Sequence, residues 1–222
     1  MIDPDVYNLF AYQKARHDEV ENETDMEKLP ERLGCTLVEA DQSRLVGTEI
    51  HVKRKQHPLR RRSDIAHELS HKLARERGKP EYPTYEEVIQ HRHSSVPNIR
   101  AHVESIITVG QDALLIPDGT VQEAIELHGL TAQMVWVLHQ EQKVLLHEAL
   151  RRVVHHNQNA RLGGFVAIKG KIRYAYSFRW HMPCWIGDPM PDPDDDFQGE
   201  GVSLFEVPGY PSMTVGLVVI EE

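Results

Sequence analysis

The chain has only two cysteines among its 222 residues, Cys35 and Cys184. Two cysteines are too few for the disulfide framework that small secreted domains use in place of a large core. The sequence also lacks an apolar run of membrane-spanning length, and its N-terminus has no basic-then-apolar signal segment. These absences exclude a disulfide scaffold and predict a protein of the reducing cytoplasm with no membrane partner.

An excess of basic residues is also missing, because 25 lysines and arginines stand against 34 aspartates and glutamates and give a net charge of −9. One basic cluster nevertheless lies just before residue 67, and it consists of Lys53, Arg54, Lys55, Arg60, Arg61 and Arg62. Such a cluster could bind nucleic acid or steer an acidic protein substrate, but it most often only solvates a surface. Nucleic acid is therefore the less favoured partner.

The length and the change of pattern along the chain predict an α+β protein with several parts. A chain of this length can bury a substantial core. Helical spacing of apolar residues marks residues 58–78, residues 98–117 and the chain from Val121, and period-two alternation follows from Gly163 onward. We expect helices and a small sheet over residues 1–118, a helical subdomain resembling a helix-turn-helix over residues 119–158, and a small β-rich domain over residues 159–222.

The most informative motif is HELSH, which runs from His67 to His71. On an α-helix, residues four apart project from the same face, so these two histidines can hold one metal ion between them. Glu68 lies beside the pair, where it could take a proton from a water. Two imidazoles and a carboxylate are a typical catalytic zinc set. The motif predicts a metal site, and two unrelated histidines on an amphipathic helix are the alternative.

The surroundings of the motif favour the metal. Pro58 is well placed in a first helical turn, and Gly78 follows a basic last turn as a typical C-terminal stop. Apolar residues recur between these two positions at helical spacing, namely Leu59, Ile65, Ala66, Leu69 and Leu73. Histidines beside such an apolar face are costly to bury unless a partner satisfies both rings, and a metal ion does so.

A third ligand is expected from residues 98–117, which the pattern predicts to be a second helix capped by Asn98. Glu104 lies early in this helix among apolar residues, where an acidic side chain is costly unless it is paired or bound to metal. A salt bridge between Glu104 and Arg100 is the alternative. Three other residues could replace Glu104 but have more polar surroundings, namely His102, Glu86 and Glu87.

These segments resemble the ImmA/IrrE metallopeptidases. The resemblance rests on the histidine-glutamate helix, which follows arginine-rich sequence, and on ESIITVGQDALLIP from Glu104 to Pro117. In that family a helical glutamate thirteen residues before such a Leu-Leu-x-Pro ending is the third zinc ligand, and Glu104 stands at this distance from Pro117. The Thr-Val-Gly stretch points to the IrrE (PprI-like) branch. The resemblance is strong from about residue 50 to residue 117 and fair to about residue 155.

The resemblance implies a zincin-like metallopeptidase domain over residues 1–118 and a zinc-dependent endopeptidase of the gluzincin type. Its ligands would be His67, His71 and Glu104, and Glu68 would be the general base. Zinc is the implied cofactor, and manganese is the alternative. The implied substrate is a helix-turn-helix transcriptional repressor whose cleavage releases a DNA-damage or radiation response, or prophage genes. Ser63 is a departure, because the family often has an aromatic residue there.

A small sheet is expected ahead of the motif helix. Residues 35–39 alternate like a strand, and residues 45–52 are predicted to return as its hairpin partner. An edge strand of this sheet could align an extended peptide by backbone hydrogen bonds. Sequence alone does not say which strand is the edge.

The polar loop over residues 79–97 connects the two predicted ligand helices. A side chain of this loop could donate a hydrogen bond to a developing oxyanion, or the loop could be a solvated connector. The candidate donors are Tyr82, Tyr85, His91 and His93.

Beyond Pro117 the pattern predicts two helices and then strands. A helix over residues 121–127 is followed by a turn and by a second helix that Thr131 caps. The second helix has apolar residues and no arginine before Arg151, so we expect it to pack rather than to read DNA. Strands are predicted at residues 165–168, 172–178, 202–207 and 214–220, with a long loop over residues 180–196.

Two other functions fit the same residues. The protein could bind DNA through the basic cluster and keep its metal for structure, or it could sequester a repressor without cutting it. The acidic net charge and the apolar second helix count against DNA binding. The sequence defines neither the oligomeric state nor the signal that activates the protein.

Overall fold

The computed structural model describes residues 3–76, 84–197 and 201–220. The chain divides into two compact units, Met1–Pro117 and Asp118–Glu222. Each unit combines helices with one β-sheet, so the fold is mixed α+β, as the sequence predicted. The first unit ends one residue before the first predicted boundary, and the second unit holds both the predicted helical segment and the predicted β-rich segment.

The first unit consists of α1 (Pro4–Asp18), α2 (Leu29–Arg32), β1 (Thr36–Ala40), β2 (Arg44–Val46), β3 (Glu49–Lys53), α3 (Pro58–Arg75), α4 (Tyr85–Arg92) and α5 (Ile99–Leu115). Pro58 begins α3 as predicted. A ring nitrogen of His57 accepts a hydrogen bond from the backbone N–H of Leu59. The apolar face of α3 is buried and includes Ile65, Ala66, Leu69 and Leu73. The predicted stop at Gly78 lies outside the described residues.

The sheet of the first unit has the strand order β1–β3–β2. β1 runs parallel to β3 and β2 runs antiparallel to β3, so the predicted hairpin between residues 35–39 and 45–52 is wrong. The reason is Gly47, whose φ of 62° turns the chain inside the segment that was expected to be one strand. Glycine adopts this left-handed conformation at little steric cost. The segment therefore becomes the β2–β3 hairpin, and β2 is an edge strand.

Helices α3 and α5 approach closely where a serine of α3 faces a glycine of α5, and a glutamine of α1 joins them there. The hydroxyl of Ser70 donates to the backbone carbonyl of Ile107 at 2.8 Å, and Gln13 of α1 donates to the same hydroxyl at 3.0 Å. A Cβ on Gly110 would lie 2.3 Å from Oε1 of Gln13 and 2.7 Å from Oγ of Ser70. Because residue 110 has no side chain, the Gln13 amide and the Ser70 hydroxyl fit beside it and join the three helices by hydrogen bonds.

Replacing Gly110 by alanine is expected to destabilise the first unit by about 2 kcal/mol. An added methyl group must displace the Gln13 amide and leave buried polar groups unpaired, which outweighs the gain of about 1 kcal/mol that alanine gives in a helix. Gly119 is the matched control, since it is also helical and a Cβ there meets nothing within 4 Å. The midpoint of denaturant unfolding should fall for Gly110→Ala and stay level or rise for Gly119→Ala. Equal midpoints would contradict the packing argument.

The second unit consists of α6 (Asp118–His128), α7 (Ala132–Gln142), α8 (Leu146–His156), β4 (Arg161–Ile168), β5 (Lys171–Phe178), the short α9 (Pro193–Asp196), β6 (Gly201–Glu206) and β7 (Met213–Ile220). Its antiparallel sheet has the order β5–β4–β7–β6. The four predicted strands are confirmed, but three helices precede them where two were expected. Four apolar side chains of α7 are buried, namely Ala132, Met134, Val135 and Leu138, so this helix packs against its neighbours. In the part of the chain that the structure describes, no helix is both long and apolar enough to cross a membrane.

Candidate metal centre

Helix α3 presents His67 and His71 side by side. The two ring centroids are 4.9 Å apart and the rings are nearly perpendicular. His71 is only 8% exposed, whereas His67 is partly accessible. Glu104 approaches from α5, and its Oε2 atom lies 3.4 Å from Nε2 of His67 and 3.4 Å from Nε2 of His71. The three predicted ligands are therefore brought together, each with one donor atom facing the others.

The spacing of these donors fits a metal ion. One donor atom from each of the three residues lies within 4.8 Å of the other two. Donors at two corners of a tetrahedron around zinc, with bond lengths of about 2.1 Å, are about 3.4 Å apart. The distance from Glu104 to each histidine, 3.4 Å, has this value. Two imidazoles and one carboxylate could hold a metal and leave a fourth position for water.

The other candidate ligands have different partners. Within the described residues, the ion pairs of Glu104 join it to the two histidines and not to Arg100. His102 is hydrogen-bonded to His93 at 2.7 Å. Glu87 closes the capping box at the N-terminus of α4. Glu86 contacts a ligand histidine, but on the ring nitrogen that faces away from Glu104.

Each of the two histidines has a polar side chain near the ring nitrogen that faces away from Glu104, a role that the sequence did not predict for either side chain. Nδ1 of His67 lies 3.1 Å from Oε1 of Gln111. Nδ1 of His71 lies 3.9 Å from Oε2 of Glu86, which also accepts a hydrogen bond from Arg75 at 2.7 Å. The 3.9 Å separation is too long for a hydrogen bond, so Glu86 acts on His71 through its charge. Such partners orient ligand rings and strengthen metal binding.

The charges around the site shift two pKa values. The pKa of Glu86 is lowered to about 2, first by His71 and then by Arg75, against the opposing effect of burial. Burial acts to lower the pKa of His71, but Glu86, Glu104 and Glu68 outweigh it and raise that pKa. The site is thus surrounded by carboxylates, which favour a cation between the histidines.

Glu68 lies next to the ligands but is not one of them, since it falls outside the group of converging donors. Burial raises the pKa of its carboxyl group, and the two histidines and the backbone N–H of Leu45 act in the opposite direction. A half-buried carboxylate with a raised pKa can accept a proton and release it again. These are the properties that a general base needs.

The basic cluster extends from the end of β3 into the first turns of α3, and some of its arginines form ion pairs with acidic side chains. Arg60 lies 3.0 Å from Asp64, and Arg61 lies 2.6 Å from Glu27 and 2.7 Å from Glu39. These contacts neutralise part of the charge that would attract a phosphate backbone. The surface therefore offers less positive charge than the sequence suggests.

The candidate oxyanion donors differ in their surroundings. Tyr82 lies outside the described residues. Tyr85 packs against another tyrosine ring, and His93 is bonded to His102. His91 is exposed at the end of α4. Among the described residues, Tyr85 and His93 form no hydrogen bond, ion pair or ring contact with His67, His71 or Glu104, so the oxyanion donor stays a prediction.

Comparison with known proteins finds a similar structure but does not assign the chain to a family. No protein-family model matches it, and no curated protein sequence does. Among solved structures, it is similar to a transcriptional regulator from Mycobacterium tuberculosis, with a TM-score of 0.54 and 15% sequence identity. The match covers 96% of this chain and 75% of the regulator. At this identity the likeness concerns the fold alone.

Proposed function

We propose that this protein is a zinc-dependent endopeptidase of the ImmA/IrrE type, with a zincin-like fold in its first unit. The proposal rests on one observation above all, the convergence of His67, His71 and Glu104, in which Oε2 of Glu104 lies 3.4 Å from Nε2 of each histidine. The family resemblance in sequence had named the same three ligands. Glu68 beside them completes the set that hydrolysis of a peptide bond requires.

Each site residue has one task in this reaction. His67, His71 and Glu104 would hold a zinc ion, which would supply a Lewis acid and lower the pKa of a bound water molecule. Glu68 takes a proton from the attacking water and passes it to the leaving amine nitrogen. One water is thereby added across the peptide bond, and Glu68 ends in its starting state.

The substrate that we propose is a helix-turn-helix transcriptional repressor, cleaved so that stress-response or prophage genes are released. The support for this part is the resemblance to the IrrE branch. The structurally similar protein is described as a transcriptional regulator, which agrees with a regulatory setting. DNA binding by the basic cluster is less favoured, because acidic neighbours pair with Arg60 and Arg61.

Removal of the metal is expected to abolish cleavage, and addition of zinc should restore it. The purified protein would be stripped with a chelator, reloaded with zinc or left empty, and mixed with a native lysate of the organism that encodes it. New protein N-termini would then be mapped by mass spectrometry. Zinc-dependent N-termini confined to one or a few repressor proteins would support the proposal, whereas identical N-termini from loaded and stripped protein would exclude it.

A further inference from the structure

Two buried polar side chains lie behind His67, on the side of the ring that faces away from Glu104. Gln111 is 4% exposed and Ser63 is 5% exposed. Oε1 of Gln111 lies 3.1 Å from Nδ1 of His67, and Nε2 of Gln111 donates to Oγ of Ser63 at 3.2 Å. A continuous chain of hydrogen bonds therefore runs from α3 through an amide of α5 and back to a ligand on α3.

The spacing of these residues shows that the hydrogen-bond chain lies at the interface between α3 and α5. Ser63 and His67 are four residues apart on α3, and Glu104 and Gln111 are seven residues apart on α5. Both separations return a side chain to the same helix face, after about one and two turns respectively. The imidazole of His67 is consequently held between Glu104 at Nε2 and Gln111 at Nδ1.

The orientation of the amide decides what Gln111 does to the imidazole. Its oxygen accepts only from a protonated Nδ1, and a neutral imidazole with a proton on Nδ1 carries its free electron pair on Nε2. Nε2 is the atom that faces Glu104. Ser63 gives the amide nitrogen an acceptor and so stabilises the orientation in which Oε1 faces the ring.

We infer that Gln111 and Ser63 are positioning residues that hold His67 in the ring orientation and tautomer that present Nε2 to the metal. The inference rests on the proposed zinc site and adds to it two residues outside the ligand set. It also gives a role to the buried hydroxyl at position 63, which accepts the amide proton of Gln111. The effect is exerted on metal affinity through the orientation of one ligand.

Gln111→Met is expected to weaken zinc binding by about 10-fold to 100-fold, the usual effect of losing a hydrogen bond to a ligand histidine. Methionine keeps the length of the side chain and removes both amide groups. Gln111→Glu should keep wild-type affinity or exceed it, since a carboxylate accepts from Nδ1 more strongly. Affinity would be measured by competition with a zinc chelator of known strength.

The matched control is Gln13→Met, which removes a second buried amide of the same unit. Gln13 also bonds to α3, through Ser70, but the structure gives it no contact with a ligand. This variant should lose stability and keep its zinc affinity. In spectra of ring-labelled, zinc-loaded protein, the Nδ1 proton of His67 should shift in Gln111→Met and stay in place in Gln13→Met, which separates positioning of the ring from general weakening of the fold.

Ser63→Ala provides an independent arm of the experiment. It should weaken zinc binding several-fold when residue 111 is glutamine and less when Gln111→Glu is present, because a carboxylate offers an oxygen to His67 whichever way it turns. Wild-type affinity in Gln111→Met, or equal effects of Ser63→Ala in both backgrounds, would overturn the inference and leave the zinc site intact. Absence of zinc binding by the wild-type protein would instead overturn the proposed function.

Discussion

Replacing Glu68 by glutamine is expected to lower the rate of peptide-bond cleavage by about 1,000-fold, within the range that positioned acid–base groups contribute. Glutamine has the same shape but cannot accept a proton from water. Its amide oxygen can still accept from the backbone N–H of Leu45, so the local structure should be kept. The zinc content should also stay at the wild-type level, because Glu68 is not among the converging ligands.

This variant separates the three functions that the sequence left open. An endopeptidase loses cleavage in Glu68→Gln and keeps its binding to the repressor. A protein that only sequesters a repressor keeps both its binding and its effect on the target genes. A DNA-binding regulator cleaves nothing, and its affinity for DNA should be the same in Glu68→Gln as in wild type, because Glu68 is not one of the basic residues that would bind phosphate.

The experiment compares Glu68→Gln with Glu123→Gln, in which an exposed helical glutamate of α6 is changed in the same way. Cleavage of the repressor found in the zinc-dependent assay would be followed as a time course for wild type and both variants. Wild-type rates for Glu123→Gln and no detectable product for Glu68→Gln are expected. A Glu68→Gln protein that cleaves as fast as wild type would remove Glu68 from the mechanism.

The ligand helix could be predicted because its information is local. His67 and His71 are four residues apart, and the apolar residues around them repeat at the same helical period. Glu104 could be found for a different reason, since a carboxylate among apolar residues of a helix needs a partner. That partner proved to be the histidine pair. Local spacing and the apolar neighbours of Glu104 in the sequence thus pointed to the three residues that converge, although the side chain of Glu104 is 44% exposed and less buried than expected.

The residues behind the ligands could not be predicted in the same way. The function of Gln111 depends on which face of α5 meets α3, and Glu86 reaches His71 from a third helix. Nothing in the local sequence states how helices separated by such long stretches of chain will pack. One signal was available, because Gln111 follows Glu104 by seven residues and must share its face of the helix.

Strand pairing failed for a related reason. Alternation marks the strands of the first unit, but it does not say which strands pair or in which direction. The position of Gly47 decided the matter, because a left-handed turn there made residues 45–52 into a hairpin of its own. β1 was then left to pair with β3 in parallel. In the second unit each predicted strand neighbours a turn with its own glycine or proline signal, and the strands were found correctly.

Loss of Glu104, the third proposed ligand, should weaken metal binding more than loss of Gln111 or Ser63. Replacing Glu104 by alanine is expected to weaken zinc affinity by about 100-fold or more, since each ligand supplies a large share of the roughly 10–16 kcal/mol with which protein sites bind zinc. Wild-type protein should purify with close to one zinc per chain, and Glu104→Ala with much less. Metal content would be measured by atomic emission after identical dialysis of the two proteins.

Thermal unfolding gives the same comparison a second readout. A ligand present at 100 times its dissociation constant stabilises the folded state by about 2.7 kcal/mol, so zinc should raise the Tm of wild type and leave that of Glu104→Ala almost unchanged. Glu123→Ala removes an exposed helical carboxylate and should respond to zinc as wild type does. Equal zinc content and equal zinc-induced shifts in Glu104→Ala and wild type would show that Glu104 does not bind the metal. The 3.4 Å contacts to His67 and His71 would then be ion pairs of a site built for another purpose.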